Sequence, residues 1–93
     1  MKYTPYYTNL IKRQLKLLEK RGYNMDLFKE VVGMLLDGVP LPEKYRDHAL
    51  AGDKKGYRDC HIKGDWLLIY KIDKNVLTLI LAETGTHSDL FKA

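Results

Sequence analysis

The most constraining feature of this sequence is the apolar stretch WLLIYKI at 66–72, which directly follows a polar turn. Its apolar side chains need cover on both faces, so the stretch is predicted to be a central strand. The turn before it carries His61, Lys63 and Asp65 beside the sole tryptophan, Trp66. A rigid strand with ionisable groups at one end is a suitable place for a functional site.

Composition and charge limit the classes of protein to which the chain can belong. Its 93 residues are expected to form one domain, 1–93, with one hydrophobic core. No apolar run suits a membrane span or a signal peptide, so we expect no membrane partner and a cytoplasmic location. The one cysteine cannot form an internal disulfide, which fits a reducing compartment. The net charge of +4 favours a polyanionic partner, either nucleic acid or an acidic protein.

The amino-terminal part of the chain is predicted to form a helical hairpin. Residues 1–4 are expected to be a short edge strand, followed by a helix over 5–21 with apolar residues at helical spacing. A second helix, capped by Asn24 or Asp26, is predicted to end at Gly38. The first helix has a basic face, which consists of Lys12, Arg13, Lys16 and Lys20. It is most simply a solvated surface, with a contact to RNA or to an acidic partner as the alternative.

The remainder of the chain is predicted to be strands joined by polar turns. The predicted strands are 46–50, 57–63, 66–72 and 76–84. A strand, two helices and four strands in this order predict an α+β domain. In this fold the helical hairpin packs on one face of a mostly antiparallel sheet of four to five strands. The other face is expected to remain open and concave.

The alternation of side chains along strand 57–63 predicts which residues reach the open face. Cys60 and Ile62 suit the core, whereas Asp59, His61 and Lys63 should project from the other face. The position of Asp65 depends on the turn. A two-residue turn at 63–64 would direct Asp65 away from His61, whereas a longer loop would let them meet, and the sequence leaves both open.

Histidines near a carboxylate are suited to acid–base catalysis. Histidine exchanges a proton near neutral pH, and a carboxylate can orient the ring and stabilise its charged form. RNA cleavage needs a base for the 2′-hydroxyl proton, an acid for the leaving 5′-oxygen and cations around the phosphate. Candidate cations are Lys54, Lys55, Arg58 and Lys63, and candidate stacking surfaces for a base are Trp66, Tyr70 and Phe91.

Other interpretations of these residues compete with catalysis. A lone histidine is often a surface or core residue, and Trp66 and Tyr70 also fit a core. Zinc is disfavoured because no two histidines have a short ligand spacing, so no metal or other cofactor is expected. Cys60 is disfavoured as a nucleophile because its strand position points inward.

Four segments of the chain resemble the YafQ family, toxins of type II toxin–antitoxin modules within the RelE superfamily. They are YRDHALAG at 45–52, KGYRDCHI at 55–62, DWLLIYK at 65–71 and TGTHSDLF at 84–91. The resemblance implies a RelE-like fold and a ribosome-dependent endoribonuclease that cleaves mRNA in the ribosomal A site without a metal. It also implies a DinJ-like antitoxin, mRNA on the 70S ribosome as substrate, and contact with operator DNA only through the antitoxin.

The resemblance also implies roles for individual residues. The matching positions are His48, His61, Asp65, Trp66, His87 and Phe91. His87 is expected to transfer a proton together with His48 or His61, and Asp65 to orient or stabilise a histidine. Trp66 and Phe91 are expected to position the nucleotide. Which histidine is the base and which the acid remains open.

Two functions of other classes fit the same sequence. A basic module could bind the ribosome or RNA and block translation by occupancy, without cutting RNA. A relative of the fold could instead act only as the DNA-bound partner of its antitoxin. The first alternative predicts inhibition that survives substitution of the histidines and is lost when lysines are neutralised.

Overall fold

Five strands and three helices make up residues 1–91, the part of the chain that the computed structural model describes. In chain order they are β1 (Thr4–Tyr7), α1 (Asn9–Lys20), α2 (Met25–Leu36), β2 (His48–Ala49), β3 (Arg58–Lys63), β4 (Trp66–Asp73), β5 (Thr78–Thr86) and α3 (His87–Leu90). The sheet has the order β1-β5-β4-β3-β2. β1 is parallel to β5 and all other neighbours are antiparallel, which confirms the predicted α+β fold. None of the described helices is long and apolar enough to cross a lipid bilayer.

The two long helices begin at side chains that cap their free amides. Thr8 Oγ1 accepts a hydrogen bond from the N–H of Ile11 before α1, and Asn24 Oδ1 accepts one from the N–H of Asp26 before α2. Gly38 follows the end of α2 with a φ of 74°. This left-handed conformation favours glycine and stops the helix as predicted.

The predicted start of the first helix at Pro5 was wrong, because Pro5 lies in β1. β1 is an edge strand that pairs with β5 alone. The N–H of Thr4 donates to the carbonyl of Leu77, so the nitrogen of Pro5 faces the free edge, where no ladder hydrogen bond is lost. The first turn of a helix tolerates a missing N–H equally well, so the proline did not distinguish the two positions.

β4 is the central strand, as predicted, and its first five side chains are buried. Trp66, Leu68 and Tyr70 lie in the core between the sheet and the two long helices. Leu67 and Ile69 are buried on the opposite face, each with 1% exposure. Burying side chains of this size contributes roughly 1.5–3 kcal/mol each, so β4 is the main hydrophobic anchor of the sheet.

The second face of the sheet is less open than predicted. The segment between β2 and β3 folds toward it, and Lys54 Nζ donates a hydrogen bond to Glu83 Oε2 at 2.8 Å beside Ile69. β2 pairs with β3 only at Arg58 and Asp59. The remainder of β3 therefore has a free edge, and the open part of the molecule lies there.

Thr84 connects the end of β5 to β4 and α1. Its hydroxyl accepts a hydrogen bond from the indole Nε1 of Trp66 at 2.9 Å and donates one to the carbonyl of Leu67 at 2.7 Å. Its N–H donates to Gln14 Oε1 at 2.8 Å. Thr84 has 1% exposure, so water cannot readily take the place of a hydrogen-bond partner that is lost here.

We expect Thr84→Val to lower the free energy of unfolding by about 1–3 kcal/mol, because the buried indole N–H would lose its acceptor. Urea denaturation measures the change. Thr78→Val is the matched control, since Thr78 lies at the other end of β5 and its hydroxyl donates only to the exposed Val76 carbonyl. An equal loss in both variants would contradict the structural role of Thr84.

Candidate active site

A cleft of about 800 Å³ opens beside the free edge of β3. One wall comes from α2, with Leu27, and another from the short turn before β2, Glu43–Tyr45. The β3–β4 turn and the start of α3 complete it. Four residues predicted for the site line this cleft, namely His61, Lys63, Asp65 and His87.

The turn between β3 and β4 places Asp65 in the cleft. The turn residues are Gly64 and Asp65, because Lys63 pairs with Trp66. The turn at 63–64, one of the two possibilities that the sequence left open, is therefore not formed, and the turn lies between the predicted strands 57–63 and 66–72. The register shifts between His61 and Lys63, an irregularity of the kind that redirects side chains. Gly64 has a φ of 58°, a conformation that favours glycine, and the resulting turn lets Asp65 line the same cleft as His61.

The carbonyl groups of this turn hold two histidines. His61 Nδ1 is 3.0 Å from the carbonyl oxygen of Gly64, and the backbone N–H of His87 donates to the carbonyl of Asp65 at 3.1 Å. One short segment thus fixes the ring of one histidine and the backbone of another. Residues far apart in sequence meet here because β5 ends beside the start of β4.

His48 is anchored in the same way as His61. Its Nδ1 is 2.9 Å from the carbonyl oxygen of Arg46, a residue with a φ of 48°. A carbonyl oxygen can only accept, so Nδ1 of His48 and of His61 carries the proton in each hydrogen bond. In the neutral form of each ring, Nε2 is therefore the nitrogen free to take up a proton.

Asp59 is a buried carboxylate among the three histidines. It has 4% exposure, and its Oδ2 lies 4.0 Å from Nε2 of His48. Its Oδ1 is buried without a hydrogen-bond partner. Burial raises the pKa of Asp59, while the positive charges of His48, His61 and His87 act to lower it. The sequence placed Asp59 on this face, two residues before His61, but gave no sign that it would be buried.

The segment that carries His87 is held by its own cap and by α1. Thr86 Oγ1 accepts a hydrogen bond from the N–H of Asp89, and Asp89 Oδ2 accepts one from the N–H of Thr86. Arg21 also donates to Asp89 Oδ2 at 3.3 Å, and the bonds from Thr86 and Arg21 lower the pKa of Asp89. The rings of His87 and Phe91 have centroids 5.1 Å apart, so Phe91 restricts the orientation of the His87 ring.

Two of the four predicted phosphate-binding cations already have partners. Lys54 pairs with Glu83, and Arg58 donates through Nε and Nη2 to Asp47, which raises the pKa of Arg58. Lys55 is exposed but does not line the cleft. Lys63 alone of the four lines it.

Two cleft cations, Lys44 and Arg46, were not predicted. They follow Pro42, in a segment whose prolines indicated only a crossover from helix to sheet. The left-handed conformation of Arg46 turns the chain there toward β2. No periodic pattern marks such a turn, so the sequence offered no signal for these two side chains.

The position of Trp66 does not fit the predicted contact with a nucleotide. Trp66 has 2% exposure and packs edge-on against Tyr23, with ring centroids 5.1 Å apart. Its role here is structural, through the core and the hydrogen bond to Thr84. The inward position of Cys60 is confirmed, since it has no exposure and burial raises the pKa of its thiol.

The chemistry of the site follows from these contacts. A small α+β domain with three histidines and two carboxylates at one end of its sheet is typical of an enzyme that transfers protons. Within residues 1–91, no three side chains of His, Cys, Asp or Glu form a group arranged to hold a metal ion.

Comparisons with known proteins agree with this class. The sequence pattern of a family described as a bacterial toxin of type II toxin–antitoxin systems, YafQ, matches residues 3–92. The mRNA interferase toxin YafQ of Escherichia coli (strain K12) is 41% identical over 86 residues, 91% of each chain. A chain of the E. coli DinJ–YafQ complex superposes with a TM-score of 0.88 and 38% identity, covering 96% of this chain and 98% of that one. A metal-bound toxin from Helicobacter pylori gives a TM-score of 0.90 and 43% identity, covering 96% and 99%.

The chain therefore belongs to the YafQ family of bacterial toxins of type II toxin–antitoxin systems. The predicted family is confirmed. The predicted class of enzyme, an endoribonuclease of the mRNA interferase type, is confirmed as well.

We expect Asp59→Asn to stabilise the protein at neutral pH relative to wild type. The folded-state pKa of Asp59 is raised above its ordinary value of 3.8, so the native state holds this proton more tightly than the unfolded state. The free energy of unfolding of wild type should therefore fall as the pH rises from 3.8 through the folded-state pKa. Asparagine cannot ionise, so Asp59→Asn should lack this fall in the free energy of unfolding.

Urea denaturation of both proteins from acidic to neutral pH measures this effect. The stability advantage of Asp59→Asn should grow with pH, whereas Asp53→Asn, at an exposed aspartate, should show no such trend. A wild type that becomes more stable than Asp59→Asn as the pH rises would show that the carboxylate is stabilised in the fold.

Proposed function

We propose that this chain is a ribosome-dependent endoribonuclease that cleaves mRNA in the ribosomal A site by acid–base catalysis, without a metal. The observation that carries the proposal is the buried carboxylate of Asp59 among three histidines beside an open cleft. The volume of the cleft, about 800 Å³, is typical of a ligand-binding cleft, and Lys44, Arg46 and Lys63 line it.

Cleavage requires two proton transfers. A base takes the proton of the 2′-hydroxyl, whose oxygen attacks the adjacent phosphorus while the bond to the 5′-oxygen breaks. An acid then gives a proton to that 5′-oxygen. The products are a 2′,3′-cyclic phosphate and a free 5′-hydroxyl.

The positions of the histidines support a division of these roles. His61 and His87 line the cleft, so we propose that they exchange protons with the substrate. His48 does not line it, and its Nε2 faces Asp59 instead. Asp59 would stabilise positive charge on the histidines, which supports the acid form of one of them.

The remaining predicted residues bind or position the substrate in this proposal. Lys63 and the newly found Arg46 would contact phosphate, and Lys55 the RNA beyond the cleft. Asp65 lies in the cleft, where it could orient His61 or His87. Phe91 would act by holding the ring of His87, whether or not it also touches a base.

We further propose that a DinJ-like antitoxin neutralises this toxin, as the complex of the E. coli relative with DinJ suggests. The net charge of +4 suits an acidic or partly disordered partner. The partner would cover the cleft or displace the segment 85–91. The Arg21–Asp89 pair is partly exposed, so breaking this ion pair would cost little. Release of the whole segment would also break the hydrogen bond from the His87 N–H to the Asp65 carbonyl and the pairing of Gly85 and Thr86 with β4. Operator DNA would be contacted through the antitoxin, and the toxin would act in the cytoplasm.

We expect His87→Ala and His61→Ala each to lower the rate of mRNA cleavage on programmed ribosomes by about 10²–10⁴-fold, the usual contribution of a general acid or base. Primer extension on a reporter mRNA measures the cuts, with and without ribosomes, and with toxin that was or was not treated with EDTA, the EDTA being removed before the ribosomes are added. Lys74→Ala, at the exposed turn after β4, is the control and should cleave like wild type.

Each outcome of this assay distinguishes the functions. Codon-phased cuts by wild type, only with ribosomes and unaffected by EDTA, support the proposal. Blocked translation with intact mRNA in wild type and in both histidine variants would favour the binding module. Loss of cleavage by EDTA-treated toxin that is restored when a metal is returned to the toxin would overturn the metal-independent mechanism.

Antitoxin binding should slow amide hydrogen exchange around the cleft or alter it in the segment 85–91. Mass spectrometry of the free toxin and of the complex measures this exchange. The amides of β1, on the far edge of the sheet, serve as an internal comparison. A complex in which the exchange of the cleft and of 85–91 stays unchanged would contradict the proposed mode of inhibition.

A further inference from the structure

A second cluster of polar side chains lies beside His48, on the helix side of the sheet. Its centre is the carboxylate of Asp47. Arg58 donates to it through Nε at 3.3 Å and through Nη2 at 3.1 Å. The hydroxyl of Tyr70 donates to Asp47 Oδ1 at 2.5 Å. Neither the fold alone nor the proton transfers described above require this arrangement.

The hydrogen bonds in this cluster are of a strong kind. The acceptor is a carboxylate, and Arg58 presents two N–H groups to it in a fork. Tyr70 has 2% exposure. Burial, followed by the hydrogen bond to Asp47, raises the pKa of Tyr70, so its hydroxyl stays protonated and remains a donor. The cluster therefore keeps its bonds over the whole physiological range of pH.

The strand that carries His48 is otherwise supported by the buried Tyr45 before it, by the hydrogen bond from the Leu50 N–H to the Tyr57 carbonyl after it, and by a short ladder. β2 has two backbone pairs, His48 with Asp59 and Ala49 with Arg58. It follows Arg46, whose left-handed conformation is uncommon for a residue other than glycine and costs free energy. A strand this short would not hold its place by backbone pairing alone. The side chain of Asp47 ties its beginning to β3 through Arg58 and to β4 through Tyr70.

We propose that Asp47, Arg58 and Tyr70 form a clamp that positions His48 for the reaction. Through the backbone, the clamp holds His48 Nε2 opposite Asp59 and His48 Nδ1 on the Arg46 carbonyl. The three clamp residues are positioning residues, because their side chains act on His48 and not on the substrate. The catalytic consequence rests on the proposed function, whereas the geometry of His48 can be measured without it.

Tyr70→Phe is the sharpest variant, since it removes one hydroxyl and keeps the buried ring. We expect kcat for mRNA on programmed ribosomes to fall about tenfold with KM unchanged, because His48 would move away from Asp59, and small displacements within an active site are costly. In the free protein, ring ¹⁵N signals should show His48 as a single Nδ1–H tautomer in wild type and as a mixture in Tyr70→Phe. The signals of His61, which bonds to Gly64, should not change.

Two further variants keep the test decisive. Tyr3→Phe removes a hydroxyl from another buried tyrosine of the core and should match wild type in both measurements. Arg58→Lys keeps the positive charge but loses the two forked N–H groups. Arg58 is partly exposed, so this variant is expected to fold and to show the same mixture of His48 tautomers as Tyr70→Phe.

The outcomes test the clamp separately from the proposed nuclease activity. A tautomer change confined to His48, with lower kcat, supports the clamp. Unchanged His48 signals in both Tyr70→Phe and Arg58→Lys, or equal disturbance of His48 and His61, would overturn it. If wild type cuts no mRNA, the proposed function fails, and the His48 signals alone decide for or against the clamp.

Discussion

Burial of β4 on both faces is the constraint on which the rest of this structure depends. The helices cover Trp66, Leu68 and Tyr70, and the other face is closed over Leu67 and Ile69. A strand fixed in this way gives its neighbours a stable register. The β3–β4 turn and the end of β5 are therefore held at one end of the sheet, where the turn carbonyls can hold His61 and His87. The hydrophobic core and the site are thus parts of one arrangement.

The electrostatic interactions of Asp59 include both unfavourable and favourable contributions to stability. Burying Asp59 with an unpaired Oδ1 costs stability, since a carboxylate loses its hydration and gains no full set of hydrogen bonds. Three nearby histidines can offset this cost by carrying positive charge. A neutral side chain here would relieve the fold but would remove the group that favours an imidazolium. In the proposed mechanism, the destabilising carboxylate of Asp59 takes part in the chemistry.

The sequence predicted what depends on periodicity and missed what depends on single bends. The helical stripes, the central strand and the alternation of Cys60 with His61 follow from regular spacing, and all are found. Pro5 was misplaced because an edge strand and the first turn of a helix both tolerate a proline, and the position of Asp65 stayed open because two turns fitted the sequence. The pairing of Lys54 and Arg58 with acidic partners could not be predicted either, since Glu83 and Asp47 approach them only through the tertiary fold. The burial of Asp59 could not be predicted for the same reason, since it also depends on the tertiary fold.

The three histidines differ in how firmly they are held, and this difference has a functional meaning. His61 belongs to β3 and His48 is held on β3 and β4 through Asp47, so moving either one requires disrupting the sheet. His87 lies on a single turn of helix fixed by the Thr86 cap and the partly exposed pair of Arg21 and Asp89. Local segments with few buried contacts open at low free-energy cost. In the proposed mechanism, a partner that removes His87 from the cleft would therefore disable proton transfer while the core and the other two histidines stay in place.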